Sequence, residues 1–136
     1  MLFRSEQVER LGLLDAAIAE VCESPPTVEH AAAGPWLERV LAAPVPGTLT
    51  IVFHSIVAFY IAPGEWAEIE ATLAAAGSRA TTAAPLAHVS FELAPGDDAD
   101  GTIAVVLELW PGGGRTLLAA CGPHGDRIEW RAGRPD

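Results

Sequence analysis

The chain has 136 residues, of which 50% are hydrophobic, and a formal net charge of -10. This length and apolar content fit one globular domain with a real core, so we expect a single domain over residues 1–136. The excess of 18 acidic over 8 basic residues disfavours contact with nucleic acid or anionic lipid, so we expect neither as a partner.

Cysteine usage and hydropathy bear on the location of the protein. The two cysteines, Cys22 and Cys121, are far apart, and no charged-then-apolar signal peptide precedes the first helical pattern. The longest weakly polar run, over residues 49–62, is shorter than the roughly 20 residues of a membrane span. We therefore expect a cytoplasmic protein with reduced thiols and no transmembrane helix.

The first part of the chain predicts a helix, a short strand and a second helix. Apolar residues recur at steps of three and four over residues 5–22, which is typical of an amphipathic helix that Ser5 can cap. Ser24-Pro25-Pro26 ends it, residues 27–31 follow as a short strand, and Gly34-Pro35 opens the second helix.

Residues 48–60, TLTIVFHSIVAFY, form the most apolar stretch and the predicted centre of the fold. The continuous apolar run over residues 49–53 predicts a parallel strand that is buried on both faces and ends at His54 and Ser55. Because helices and strands alternate up to this point, we expect parallel strands joined by crossovers.

The second part predicts one more helix and then antiparallel strands. Pro63 starts the helix and Gly77 is placed as its C-terminal cap. Residues 86–93 alternate, with His88, Ser90 and Glu92 on the polar face, and turns separate further strands over residues 102–110, 115–121 and 127–130. The predicted fold class is α/β: a mixed sheet, parallel on its N-terminal side and ending in an antiparallel meander.

The end of the central strand is the first candidate site, because open α/β sheets bind ligands at the carboxyl ends of their strands. His54 is a candidate base near neutral pH, with Ser55 and Tyr60 as neighbouring candidate catalytic residues. The structural alternatives are a histidine bonded to a loop carbonyl, a serine that caps a turn and a packing tyrosine. Ser55 does not stand in a G-x-S-x-G elbow, which disfavours a serine hydrolase.

Other polar groups are weaker candidates. His88 and Glu108 face each other in the hairpin register that closes around residues 95–101, where an ion pair is a commoner outcome than a catalytic dyad. The aspartates within residues 97–100 lack the glutamate that closes a calcium loop. The remaining histidines are scattered singly, so we expect no metal site.

With these elements placed, the chain resembles the C-terminal half of a bacterial family, domain of unknown function 2332. The matching segments are EQVERLGLLDAAIAEVCESPPTVEH, IVFHSIVAFYIAP, LAAAGSRAT, APLAHVSFE, LELWPGG and PHGDRIEW. The resemblance implies a class I methyltransferase-like, Rossmann-like sheet that lacks its first strands, and it makes S-adenosylmethionine the cofactor of the complete fold.

The resemblance also implies what the chain lacks. A glycine-rich strand-to-helix turn is absent, because Gly112-Gly113-Gly114 lies in a predicted hairpin, so we expect no cofactor for the chain alone. The apolar central strand would present a free edge, which favours a homo-oligomer such as a dimer, or a chain that supplies the missing half. Two functions stay open: a non-catalytic, methyltransferase-like module that assembles, or one part of an S-adenosylmethionine-dependent methyltransferase. Whether the protein is an enzyme is left undecided.

Overall fold

The computed structural model describes residues 8–94, 101–122 and 127–131. The chain forms two compact units, of which the first ends at Ala31 and the second begins at Ala32. In chain order, the elements are α1 (Val8–Glu23), α2 (Ala33–Val40), β1 (Thr50–Ser55), a 3₁₀-helix (Ala58–Tyr60), α3 (Pro63–Arg79), β2 (Leu86–Leu93), β3 (Ile103–Trp110), β4 (Arg115–Cys121) and β5 (Ile128–Trp130).

The first unit contains α1, which confirms the predicted helix apart from residues 5–7, including the capping Ser5, which lie outside the described residues. The strand predicted over residues 27–31 is wrong, because the segment after α1 has no regular structure. Residues 27–31 are exposed throughout, so burial of side chains does not favour a strand there, and β1 pairs with β2 instead.

The second unit is built on a five-stranded sheet in the order β1-β2-β3-β4-β5. β1 and β2 are parallel, and every later pair is antiparallel. This arrangement confirms the mixed sheet and the closing meander. The parallel pair is formed by β1 and β2, with α3 between them in the chain, and not by residues 27–31 with the central strand.

β1 is an edge strand, and the prediction that it is buried on both faces is wrong. Its residues alternate in exposure, and Ile51 and Phe53 remain 59% and 64% exposed. A continuous apolar run is compatible with burial on both faces, but within the second unit the helices α2 and α3 pack on only one of them. The predicted end of the strand at His54 and Ser55 is confirmed: β1 ends at Ser55, because Ile56 has a φ of 48° and the 3₁₀-helix follows.

The main core lies between one face of the sheet and the helices α2 and α3. Its buried members come from α2 and its C-cap, from α3 and from β2: Leu37, Leu41, Ile69, Leu73, Ala76 and Leu86. A smaller cluster of Ile103, Ala119 and Cys121 lies elsewhere in the sheet, with Ile56 and Phe91 packed against it. Among the described residues, no helix is long and apolar enough to cross a bilayer.

Gly77 is not the C-terminal cap that the sequence predicts, because α3 continues to Arg79 and Ala80 follows as the cap. Gly77 is buried inside the last turn, where the Trp110 ring leaves no space: a Cβ there would lie 2.5 Å from two ring carbons. The glycine is therefore explained by the close approach of α3 to β3.

Replacing Gly77 with alanine should destabilise the protein by about 1–3 kcal/mol, the usual cost of overpacking a core, although alanine favours helix by about 1 kcal/mol. The matched control is Gly64→Ala in the same helix, where a Cβ would meet nothing within 4 Å. Chemical denaturation should show a lower free energy of unfolding for Gly77→Ala and an equal or higher one for Gly64→Ala. Equal stability of the two variants would contradict the packing account.

Candidate functional site

Polar side chains gather on one face of the parallel strands β1 and β2, from the middle of β2 to the carboxyl ends of both strands. The register places His54 opposite Ser90, so on their shared face His54 lies between His88 and Glu92. Ser90 is small, which leaves room for the imidazole of His54 across the strand pair. All four side chains belong to the sheet face that α3 packs on.

His54 uses both ring nitrogens. Its Nδ1 lies 2.7 Å from Glu92 Oε1, and its Nε2 lies 2.9 Å from His88 Nε2. Trp66 of α3 contacts the ring edge-on, with 5.2 Å between the ring centroids. Because the side chains of His54 and Glu92 are only 14% and 17% exposed, water does little to weaken this contact.

Glu92 is held by backbone as well. Its Oε1 accepts hydrogen bonds from the N–H groups of Val57, at 2.9 Å, and Ala58, at 3.3 Å. These N–H groups point at Glu92 because the chain turns sharply at Ile56, whose positive φ is rare for a β-branched residue. The carboxylate is thus fixed by three donors and in turn fixes the orientation of His54.

A second carboxylate stands on the far side of His88. His88 and Glu108 are direct partners in the β2–β3 ladder, which confirms the predicted register, and His88 Nδ1 lies 3.7 Å from Glu108 Oε2. Arg115 Nε lies 3.6 Å from Glu108 Oε1. The result is a continuous line of ionisable groups across four strands: Glu92, His54, His88, Glu108 and Arg115.

Burial lowers the pKa of His88 below 6.5, and the neighbouring His54 lowers it further. Glu108 acts in the opposite direction by charge and hydrogen bonding, and Arg115 adds to the lowering. Once His54 carries a proton, a proton on His88 is therefore disfavoured.

This line of groups borders an open cavity of about 310 Å³. Trp66 and Glu70 of α3 line it on the helix side, and Ser90, Val106 and Arg115 line it on the sheet side. A second cavity of about 440 Å³ adjoins it, shares Ser90, Val106 and Arg115, and adds the apolar wall of Leu117. The arrangement can exchange protons with a small molecule and offers that molecule an apolar surface beside the polar one.

Of the candidate catalytic residues His54, Ser55 and Tyr60, the structure places His54 in the lining of this cavity, together with the weaker candidates His88 and Glu108. Ser55 follows His54 on the opposite side of β1 and is exposed. Tyr60 is 78% exposed, contacts Phe59 edge-on, and is not part of the lining. The aspartates within residues 97–100 and the lone His124 lie outside the described residues.

Within the part of the chain that the structure describes, no three His, Cys, Asp or Glu side chains converge to hold a metal ion. These residues also do not fit S-adenosylmethionine on their own. Gly112, with a φ of 74°, serves the β3–β4 turn, and Glu92 is already occupied by His54 and backbone. Among the residues that the structure describes, none therefore forms a ribose or methionine cradle of the usual kind.

Sequence reasoning missed Glu92 and Arg115 as partners of the histidines. The alternation over residues 86–93 placed Glu92 on the polar face of its strand. Its contact with His54 depends on the parallel register of β1 on β2, and no local sequence pattern predicts that register. Arg115 reaches the site only because β3 and β4 pair with Glu108 opposite Arg115.

The fold and the site define a mixed α/β domain with a half-buried histidine pair on two parallel strands, in which His54 lies near the carboxyl end of β1 and His88 is the third residue of β2. The chain belongs to the family described as an uncharacterized protein conserved in bacteria (DUF2332), whose family model matches residues 3–130. No curated protein and no solved structure matches the chain.

The free energy of unfolding should fall as the pH drops below about 6.5, the ordinary histidine value. Because the pKa of His88 is lowered in the folded state, the unfolded chain binds the proton more tightly there. The contribution of neutral His88 to the free energy of unfolding is therefore complete above about pH 6.5 and decreases as the pH falls toward the pKa of His88 in the folded state. Urea unfolding at pH 7.5, 6.5 and 5.5 measures the slope.

His88→Gln should show a smaller decline in stability over this range than the parent protein. The control is His30→Gln, at an exposed histidine of the first unit. The interpretation is wrong if His88→Gln keeps the full pH slope of the parent.

Proposed function

We propose that this protein is a methyltransferase-like module of the cytoplasm that has no catalytic activity on its own and acts by self-association. The observation that carries the proposal is the edge of the sheet at β1. This strand pairs only with β2 among the described strands, and it presents Ile51 and Phe53 at 59% and 64% exposure. An apolar strand with an unpaired ladder edge favours pairing with another chain.

A second copy of the chain is the partner that this edge fits best. Two copies of β1 can pair antiparallel about a twofold axis, which is the commonest symmetry of homodimers. The pairing would satisfy the free N–H and C=O groups of both strands. It would also bring together the apolar side chains of the open face, which we define as Ile51, Phe53, Val89, Leu107 and Leu109 on one side of the sheet.

The methyltransferase-like assignment rests on the resemblance in the segments IVFHSIVAFYIAP and LELWPGG and on the mixed sheet. In the proposed correspondence, the chain represents the C-terminal half of such a fold, and β1 is the strand whose other neighbour belongs to the missing half. In a self-associated dimer, β1 of the second copy would pair with the free edge of β1 in the position of that missing strand.

Self-association should be weakened in Phe53→Glu, because the substitution places a charge in the apolar centre of the proposed interface. We expect a dimer at micromolar concentration for the parent. For the variant we expect at least a tenfold weaker association, about 1.4 kcal/mol. Light scattering coupled to size exclusion, over a dilution series, measures both.

The matched control is Phe59→Glu, which introduces the same charge at a residue that is 76% exposed but lies on the 3₁₀-helix outside the sheet. It should leave the association unchanged. A parent protein that is monomeric across the dilution series would refute the assembly through β1.

A second candidate function is favoured by the position of the cavity. His54 and Glu92 stand at the carboxyl ends of β1 and β2, where open α/β sheets bind ligands. The protein would then be one part of an S-adenosylmethionine-dependent methyltransferase that another chain completes, with His54 near the substrate and Ser55 and Tyr60 as further candidates. That other chain would supply the cofactor cradle that the described residues lack.

Calorimetric titration with S-adenosylmethionine distinguishes the two functions. For the chain alone, we expect no saturable binding up to about 1 mM, where the binding free energy is only about 4 kcal/mol. Saturable micromolar binding that weakens in His54→Ala would overturn the non-catalytic proposal and favour the enzyme.

A further inference from the structure

We infer that His54 and His88 form a single acid–base centre that holds one shared proton between their Nε2 atoms and presents it to the adjoining cavity. The inference rests on which ring nitrogens of His54 and His88 must donate and which must accept hydrogen bonds, given the carboxylates of Glu92 and Glu108 at either end. It rests on different observations from the self-association proposed above, which uses the free backbone edge of β1 with Ile51 and Phe53, whereas the histidine pair lies on the side of the sheet that faces α3.

A neutral pair cannot satisfy the observed geometry. His54 Nδ1 faces Glu92 Oε1 at 2.7 Å and must carry a proton to donate to the carboxylate. If His54 is neutral, its Nε2 is an acceptor, and His88 Nε2, 2.9 Å away, must be the donor. A neutral His88 would then direct the bare lone pair of its Nδ1 at Glu108 Oε2, 3.7 Å away, which is repulsive.

One added proton removes this conflict. With a proton on both Nδ1 atoms and one between the Nε2 atoms, Glu92 and Glu108 each face an N–H, and the pair carries a single positive charge. A further proton would set two N–H groups against each other at 2.9 Å, which Coulomb repulsion forbids at that separation. The pair therefore takes up one proton readily and resists a second.

The charges around the pair also indicate which ligand it would take. The charged groups that face it come from α3, β2, β3 and β4: Glu70, Glu92, Glu108 and Arg115. With one positive charge on the histidine pair, this lining remains net negative, which disfavours anions. The adjoining wall of Val106 and Leu117 is apolar. The matching ligand is a small neutral or cationic molecule with an apolar body, such as an alkylamine.

Ring-nitrogen NMR of the full chain tests the shared proton. We expect the two histidines to titrate together in two steps, at least one pH unit apart, with three ring protons on the pair between the steps. Exposed His30, in the first unit, is the internal control for the ring signals. Independent single steps for His54 and His88, or two neutral rings throughout the range from pH 5 to 8, would overturn the inference.

Two further measurements make the test specific. In His88→Gln, His54 should titrate in one step, because its partner no longer competes for the proton. Zinc chloride should leave the ring signals unchanged at equimolar concentration. Micromolar zinc binding with proton release would instead make the pair a metal site and overturn the assignment.

Hexylamine and hexanoate, which have equal chain length and opposite charge, test the ligand class. We expect hexylamine to shift the His54 and His88 signals with at least threefold higher affinity than hexanoate. Equal or reversed affinities would refute the proposed ligand class and leave the proton-sharing result to be judged by the pH titration.

Discussion

The hydrogen bond between His54 and Glu92 depends on the parallel register of β1 on β2. Contacts at both ends of the strand pair stabilise that register. A shift of one residue would turn His54 to the other face of the sheet, since side chains alternate along a strand. The register is set at one end by Val52 and Leu86, which pack under α2 and α3. At the other end, the backbone of Val57 and Ala58 closes on Glu92. The apolar core and the polar cluster therefore specify the same alignment.

The strained turn at Ile56 links the two faces of the sheet. Its positive φ directs two N–H groups toward Glu92, while its side chain packs against the cluster of Ile103, Ala119 and Cys121. A glycine would adopt this backbone at less cost but would lose that apolar contact. The packing of one side chain thus offsets the strain that holds a carboxylate in place.

The sequence predicted most elements, because each has a local signal: the apolar stripe of α1, the proline at the start of α3 and the alternation of β2. It also predicted that His88 faces Glu108, because a hairpin register follows from the turn between the strands. The free edge of β1 was implied by the family resemblance, but the exposure of Ile51 and Phe53 was not predicted, because an apolar run looks alike in a strand buried on both faces and in one exposed on a single face. The contact of His54 with Glu92 could not be predicted from local sequence patterns. It joins residues on two parallel strands whose register is set by tertiary packing.

β1 carries both proposals: self-association uses its free backbone edge and its outer side chains, and the histidine centre uses the side chains that face α3. Thr50, Val52 and His54 face the helices and the cavity, whereas Ile51 and Phe53 face outward. A charge placed on the outer face leaves the histidine pair untouched, and a change in the pair leaves the outer face apolar. If copies of the chain pair through β1, each would keep its own histidine centre at the carboxyl end of the strand. An antiparallel pairing would then place the two centres at opposite ends of the shared ladder, so that each cavity opens beside a different end of the joined sheet.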